Sequence, residues 1–312
     1  MLDLLMAADS AAQRLDVFLA RTLPGASRQR VRALIAGGGV RVNGRRVHKS
    51  AALQPGDAVQ IDDWSDPGAA TLLSNASLDV PILYEDTEVI ALDKPAGLPS
   101  HALRADETAT LANFLVDRFP ELRALSRAVG KDEREPGLVH RLDTDTSGVL
   151  LVARTVDAYA ALRRQFRAHT VNKEYVALVD GDVAASGEIT APIAHDARNR
   201  RRMRVCDNPD QAVAWHARPA LTRYRPLRRL GTRTVLAIEI PTGLRHQIRA
   251  HLAFVGHPII GDELYGGRGA ARQMLHAERV TFTHPRTRER VTVESPLPAD
   301  LRATLGHRPT YT

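Results

Sequence analysis

Gly137-Leu-Val-His-Arg-Leu-Asp-Thr-Asp-Thr-Ser-Gly-Val-Leu-Leu-Val-Ala-Arg154 sets a short charged cluster, His140-Arg141-Leu142-Asp143, one polar turn ahead of an apolar strand. A carboxylate beside an arginine on the lip of a buried strand presents one ionised oxygen, as nucleophile or base, to a ligand. Side-chain alternation places Arg141 and Asp143 on the same face if the strand geometry extends back to them. Outward from this stretch the pattern is strands interleaved with single helices. Ile82–Tyr84 and Val89–Leu92 read as strands, followed by the turn Lys94-Pro95-Ala96-Gly97. Thr108 to Phe119 reads as a helix, and Val156 to His169 as an amphipathic one with Val156, Tyr159, Leu162 and Phe166 inward. Tyr175–Val179, Thr234–Ile240 and Arg290–Val293 supply further strands. The expected class is α+β, with a long mixed, largely antiparallel sheet over residues 80–312 and a small N-terminal α/β domain.

That small domain spans 1–61. Leu15, Val17, Phe18 and Leu23 recur at near-helical spacing, and Ser27 offers an N-cap to Arg28–Ile35, whose Val31, Leu34 and Ile35 share a face. Gly37-Gly38-Gly39 ends that helix. Val40–Val42, the turn Asn43-Gly44 and Arg45–Val47 form a hairpin signal, and Pro55-Gly56-Asp57 turns the chain into Val59–Ile61. Two short helices leading into a basic hairpin place Arg28, Arg32, Arg41 and Arg45 on one edge. The polar stretch 62–79, with Pro67-Gly68 and Ser74-Asn75-Ala76-Ser77, reads as a linker.

The chain of 312 residues carries a formal charge of +7 and a pI of about 10.0, a balance that favours phosphate partners. Eight basic residues and no acidic one lie between Arg21 and Lys49, and a second cluster is Arg198-Asn-Arg-Arg-Arg-Met-Arg204. One-sign blocks of this kind point to RNA or DNA contact rather than to a solvated face, which mixes signs. No apolar run approaches the roughly 18 residues of a membrane helix, and Met1–Met6 lacks the basic start of a signal peptide. The lone Cys206 makes no internal disulfide and suits a reducing compartment. A cytoplasmic monomer without membrane contact is the expectation.

Residues 14–61 resemble a small RNA-binding domain first recognised in a ribosomal small-subunit protein, through Arg14-Leu-Asp16, Ser27-Arg28, Leu34-Ile35 and Val40-Arg-Val-Asn-Gly44. Four later segments, in order, resemble the RluA family of RNA pseudouridine synthases from about Asp79 to Pro298. They are Leu83-Tyr-Glu-Asp86 with Asp93-Lys-Pro-Ala-Gly97; His140-Arg-Leu-Asp143 with Thr146-Ser-Gly148; Lys173-Glu-Tyr175 with Ala177-Leu-Val179; and Thr242-Gly243 with His246-Gln-Ile-Arg249, His257-Pro258 and Gly261-Asp262. Leu275-His-Ala277 and Phe282-Thr-His-Pro285 close the series.

The resemblance implies isomerisation of uridine within RNA, large-subunit ribosomal RNA first and transfer RNA second, with no cofactor. It assigns Asp143 as the catalytic carboxylate, Arg249 as its ionic partner and Tyr175 as a catalytic residue of the pocket. Arg141 would brace the space a nucleotide vacates, and Leu275, His246 and Gln247 would meet the substrate. The family's usual order places arginine directly after the glycine; here Leu244-Arg245 is an apparent swap. On a continuous helix Arg245, four residues before Arg249, would share its face.

Three competitors weigh less. His246, His251 and His257 fit no common zinc spacing, and no metal is expected. Thr146-Ser147-Gly148 lacks the frame of a nucleophile elbow. A catalytically silent RNA-binding or assembly protein that keeps the fold is the remaining alternative.

Overall fold

The structure is a computed structural model and describes residues 2–6, 12–23, 26, 28–62, 72–104 and 106–305. The chain forms two compact units, Met1–Leu72 with Gly130–Glu133, and Leu73–Val129 with Arg134–Thr312.

In the first unit α1 (Leu15–Thr22) and α2 (Arg28–Ala36) pack on strands β1 (Leu2–Leu5), β2 (Gln13–Arg14), β3 (Val40–Val42), β4 (Arg45–Arg46), β5 (Ala52–Leu53) and β6 (Ala58–Ile61). The main sheet runs β1-β6-β3-β4, so the chain's first strand, which carries no strand signal in the sequence, covers the edge of β6. Asn43 and Gly44 both take positive φ, 50° and 77°, which matches the right-handed twist of a two-residue hairpin. The core is Leu15, Leu19, Val31, Ile35, Val40, Leu53, Val59 and Ile61. Asp16, 3 % exposed, is buried between Arg14 (2.9 Å) and Arg32 (3.4 Å). Paired guanidinium groups are what make an ionised carboxylate tolerable there. Arg41 pairs with Asp62 at 3.6 Å, and Arg45 is exposed. The cap read at Ser27 and the side chain of Arg28 lie outside the described residues.

The second unit is built on a nine-stranded sheet. Its strands are β7 (Ile82–Glu85), β8 (Val89–Lys94), β9 (Ser147–Ala153), β10 (Asn172–Asp180), β11 (Gly187–Ile189), β14 (Thr222–Leu230), β15 (Arg233–Glu239), β16 (Leu275–Thr283) and β17 (Arg290–Glu294). Between β11 and β14 the chain makes a separate hairpin, β12 (Ile193–His195) with β13 (Met203–Val205). The sheet order is β11-β14-β15-β10-β16-β9-β8-β7, with β17 on β16. Helices α3 (Leu111–Arg118), α4 (Leu122–Ala128), α5 (Val156–Arg167), α6 (Pro209–Ala214), α7 (Gln247–Phe254) and α8 (Ala299–Leu305) complete it.

All seven residues of β9 are buried, as its unbroken apolar run requires. Two strands lack a periodic signature. In β14 the run Thr-Arg-Tyr-Arg-Pro-Leu-Arg-Arg-Leu hides its alternation behind arginines, and the register shifts between Pro226 and Arg228. In β16 the start at Leu275 follows Ala270-Ala-Arg-Gln-Met274, which separates the strand from the glycine turn at Gly266–Gly269. The helix expected from Val156 begins there, but Val156 is 47 % exposed and not inward; Thr155 caps it and the inward face starts at Ala158 and Tyr159. The stretch 62–79 read as a linker ends early. Asn113 Nδ2 donates to Leu73 O at 2.6 Å and Asn75 Nδ2 to Thr108 O at 2.8 Å, which fixes the chain to the second unit; residues 63–71 lie outside the described residues.

The site is positioned by one irregularity of the sheet. β9 and β16 are parallel in a sheet whose other pairings are antiparallel, with His276 opposite Ser147 and Ala277 opposite Gly148. The segment entering β9 and the start of β16 therefore arrive at the same rim. Gly148, at φ 114°, lets the strands approach until the Ala277 oxygen lies 2.1 Å from where a Cβ would stand. Among the described residues no helix is long and apolar enough to cross a membrane.

Candidate active site

Residues 141–146 enter β9 as irregular chain, so Arg141 and Asp143 are not strand neighbours. They line the same cavity nevertheless, because surrounding groups hold the segment. Ser100 Oγ donates to Leu142 O (2.7 Å) and accepts from Leu142 N (3.2 Å). Thr144 O accepts from Gly97 N (3.0 Å) and from Lys94 Nζ (2.9 Å). Thr146 Oγ1 accepts from Gln273 (2.6 Å), and Asp145 O from Arg272 (3.0 Å), which is itself clamped by Asp300 at 2.6 and 2.9 Å. Lys94 is fully buried, and its Nζ also meets the carbonyls of Pro95 and Leu98 at 2.8 Å each. Burial pulls its pKa down to about 7 against the charges of Asp145 and Asp143. His140, read as part of a charged cluster, is neutral: it accepts from Leu151 N at 2.9 Å, and burial lowers its pKa to about 3.

Asp143 faces Arg249 of α7, Nη1 to Oδ2 at 2.9 Å. The rest of that guanidinium is taken by Asp262, bidentate at 2.6 and 2.8 Å. Burial alone would lower the Arg249 pKa, but the hydrogen bonds and charges of Asp262 and Asp143 raise it overall. Arg249 therefore stays charged and fixes one Asp143 oxygen in place. The other oxygen, Oδ1, lies 3.8 Å from His246 Nε2. His246 takes the left-handed conformation at φ 52°, just before α7, and its Nδ1 shares a hydrogen bond with the Tyr265 hydroxyl at 3.1 Å. Burial lowers the His246 pKa to about 4, with Asp143 opposing and Arg249 assisting.

The cavity above this pair is lined by Arg141, Tyr175, Ile240, Leu244 and Leu275, among others. Tyr175 and Leu275 come from the neighbouring strands β10 and β16 and are 7 % and 3 % exposed. Burial, with the Asp143 charge adding, raises the Tyr175 pKa, so the phenol is protonated at neutral pH. Arg141 does not pair with Asp143 although both line the cavity; its Nη1 lies 3.3 Å from His101 Nε2.

Two expectations change. Gln247 borders the cavity, but its amide is spent inward: Oε1 accepts from Thr242 Oγ1 (2.9 Å) and Leu244 N (3.1 Å), and Nε2 donates to Leu221 O (2.8 Å) and Thr222 Oγ1 (3.1 Å). Arg245 precedes α7 rather than sharing a helical face with Arg249. Its guanidinium donates to the carbonyls of Arg200 (3.2 Å) and Arg201 (3.1 Å), anchoring the arginine-rich tip of the β12–β13 hairpin beside the site. His251 lies between Thr222 Oγ1 (2.8 Å) and Ala191 O (2.9 Å), and His257 meets Asp180 O at 2.9 Å, so these two do not converge with His246. Sequence reasoning left Asp262, Lys94, Arg272 and Gln273 without roles. The signal for Asp262 was physical: a buried arginine facing one carboxylate has donors left for a second.

A carboxylate held by a buried arginine thus lies over an apolar and aromatic floor, rimmed by further guanidinium groups. The sequence profile of the RNA pseudouridylate synthase family matches residues 88–254, and that of the S4 domain residues 13–59. The chain is 38 % identical to the ribosomal large subunit pseudouridine synthase D of Xanthomonas campestris, over 94 % of this chain and 88 % of that one. It is 40 % identical to an uncharacterized RNA pseudouridine synthase of Chloroflexus aurantiacus, over 94 % and 89 %. The solved human RNA pseudouridylate synthase domain containing 1 superposes with a TM-score of 0.55 at 26 % identity, over 72 % of this chain and 87 % of that one. The protein belongs to the RNA pseudouridine synthase family, with an S4 domain at its N-terminal end.

Proposed function

We propose that this enzyme converts uridine to pseudouridine in large-subunit ribosomal RNA, with Asp143 as the catalytic carboxylate. The observation that carries the reading is that Asp143 lines the cavity with Oδ2 bound to Arg249 and Oδ1 no more than loosely faced by His246 at 3.8 Å. The relatives named for the large ribosomal subunit supply the substrate class. The reaction breaks the bond from ribose carbon 1′ to uracil nitrogen 1, turns the base, and bonds carbon 5 to the same sugar carbon. The carbon-5 proton leaves and nitrogen 1 gains one, so nothing is oxidised or hydrolysed. Asp143 faces the sugar, where a carboxylate can bond or stabilise the cationic carbon. Tyr175 and Leu275 retain the freed base; the phenol stacks on uracil, and its hydroxyl is protonated and able to relay a proton. Arg141, at the exposed edge of the cavity, braces the stack once the nucleotide has left it, a step that costs a few kcal/mol.

His246, whose Nε2 lies 3.8 Å from Asp143 Oδ1, meets the sugar or phosphate of a nucleotide held over Asp143. The arginines of the first unit and of the β12–β13 tip supply affinity for structured RNA, and the enzyme acts as a monomer in the cytoplasm. The test is a pseudouridine map of cellular RNA with and without the gene, rescued by wild type or by Asp143→Asn. Sites that vanish and return only with wild type establish activity, nucleophile and substrate together. Binding of RNA with no site changed would leave a silent RNA-binding protein instead.

A further inference from the structure

The turn that supplies Asp262 carries a second group toward the site. Tyr265, 7 % exposed, closes that turn with its backbone N–H on Asp262 O at 3.0 Å. Its hydroxyl lies between Met203, the first residue of β13, and His246, in the left-handed conformation just before α7. Met203 N donates to the hydroxyl at 2.8 Å, and His246 Nδ1 shares a hydrogen bond with it at 3.1 Å. Met203 O is farther off, at 3.3 Å. One turn therefore reaches both groups that face Asp143: Asp262 holds Arg249, and Tyr265 holds His246.

A proton count fixes the sense of the second contact. A phenol has one proton to give and lone pairs to accept with. Burial raises the pKa of the Tyr265 hydroxyl, so it keeps that proton, and the Met203 N–H occupies a lone pair. His246, its pKa lowered to about 4, carries a single ring proton at neutral pH. With that proton on Nδ1, the bare Nε2 would turn its lone pair on Asp143 Oδ1, 3.8 Å away. With it on Nε2, the same ring presents an N–H to the carboxylate side of the cavity. The hydrogen bond made by one ring nitrogen sets the state of the other. We infer that Tyr265 is a positioning residue: its hydroxyl, held by the Met203 N–H, donates to His246 Nδ1. The ring proton is thereby kept on Nε2, as a hydrogen-bond donor to a sugar or phosphate oxygen of the nucleotide over Asp143. The inference deepens the function proposed above and rests on it.

The ring of Tyr265 packs separately from its hydroxyl. It meets His246 edge-on at 5.8 Å between centroids, and the Arg202 and Arg249 guanidinium carbons stand 5.1 and 5.2 Å from its centroid. Tyr265→Phe in the full-length protein keeps that packing and removes only the hydroxyl. On transcripts spanning the uridines that its pseudouridine map identifies, the variant should lose about tenfold in kcat, the worth of one oriented hydrogen bond, with KM nearly unchanged. His246→Ala should lose at least as much, and adding Tyr265→Phe to it should lose nothing further, since residues that act through one group are not additive. The same loss repeated in the His246→Ala background would make the tyrosine merely structural and overturn the inference. A second readout needs no RNA: the nitrogen NMR spectrum of imidazole-labelled protein, with His246 assigned by its absence in His246→Ala. Wild type should show the proton on Nε2, and Tyr265→Phe a mixture of tautomers. A wild-type proton on Nδ1 would sink the idea whatever the kinetics. A wild type that modifies no RNA also overturns it, together with the function above, and an intact Nε2–H signal then marks the function as what failed.

Discussion

Asp143 owes its position to a chain of charges rather than to its own neighbours in sequence. Arg249 spends one nitrogen on Asp143 and two on Asp262, so the buried guanidinium is balanced before any substrate arrives. Removing Asp262 leaves that cation half-paired in a dry interior. Asp262→Asn should lower unfolding stability by about 3–5 kcal/mol in urea denaturation, the cost of breaking a buried pair by removing one partner. Asp143→Asn, whose side chain is 20 % exposed, should cost markedly less stability while abolishing product. A stability ranking in the opposite order would assign the structural anchor to Asp143. Motif order put Arg141, Tyr175 and Asp262 alike on the page, but the pairing of Asp262 with Arg249 was not legible, because a bidentate pair 13 residues apart leaves no local pattern.

At the scale of elements, the segment 141–146 has no regular secondary structure and is fixed only by groups from elsewhere. Three carbonyls take all three protons of the Lys94 ammonium, including that of Thr144 next to Asp143. Lys94→Met should therefore lower kcat by about 10²-fold with RNA affinity kept, the effect of displacing a reacting group by around an ångström. Single-turnover rates alongside binding would separate the two. Sequence periodicity found β8, β9, β10 and β15, whose apolar runs are continuous, and the N-terminal hairpin, whose Asn-Gly turn has few alternatives. It could not find β14, where arginines occupy the exposed positions and a bulge breaks the period at Pro226. The irregular course of 141–146 was likewise invisible, since its hydrogen-bond partners lie about 40 to more than 120 residues away.

For the molecule as a whole, several histidines are buried neutral. Burial holds His140 at about 3 and His246 and His276 at about 4, against about 6.5 in an unfolded chain. The unfolded state thus binds more protons between those values, so the stability these histidines contribute is full above about pH 6.5 and falls as pH drops toward 4. Thermal unfolding at pH 7.5 and pH 5 should differ by about ten degrees or more, and substitution of His276 should narrow the gap. Salt reports on the other global property. If the first unit carries phosphate contacts, removing residues 1–72 should flatten the log–log salt dependence of RNA binding by about 0.7–0.9 for each phosphate that unit neutralises. An unchanged slope would move those contacts to the arginine hairpin.

The parallel step between β9 and β16 is closest at Gly148, where the Ala277 oxygen occupies the place of a side chain. Even a methyl group there is a wedge driven between the two strands that bring Asp143 and Leu275 to one rim. A genetic screen for lost modification would therefore return Gly148 beside Asp143, although the glycine has no chemistry to offer RNA. The two classes of allele would part company only in protein yield, one mutant abundant and inert, the other scarce.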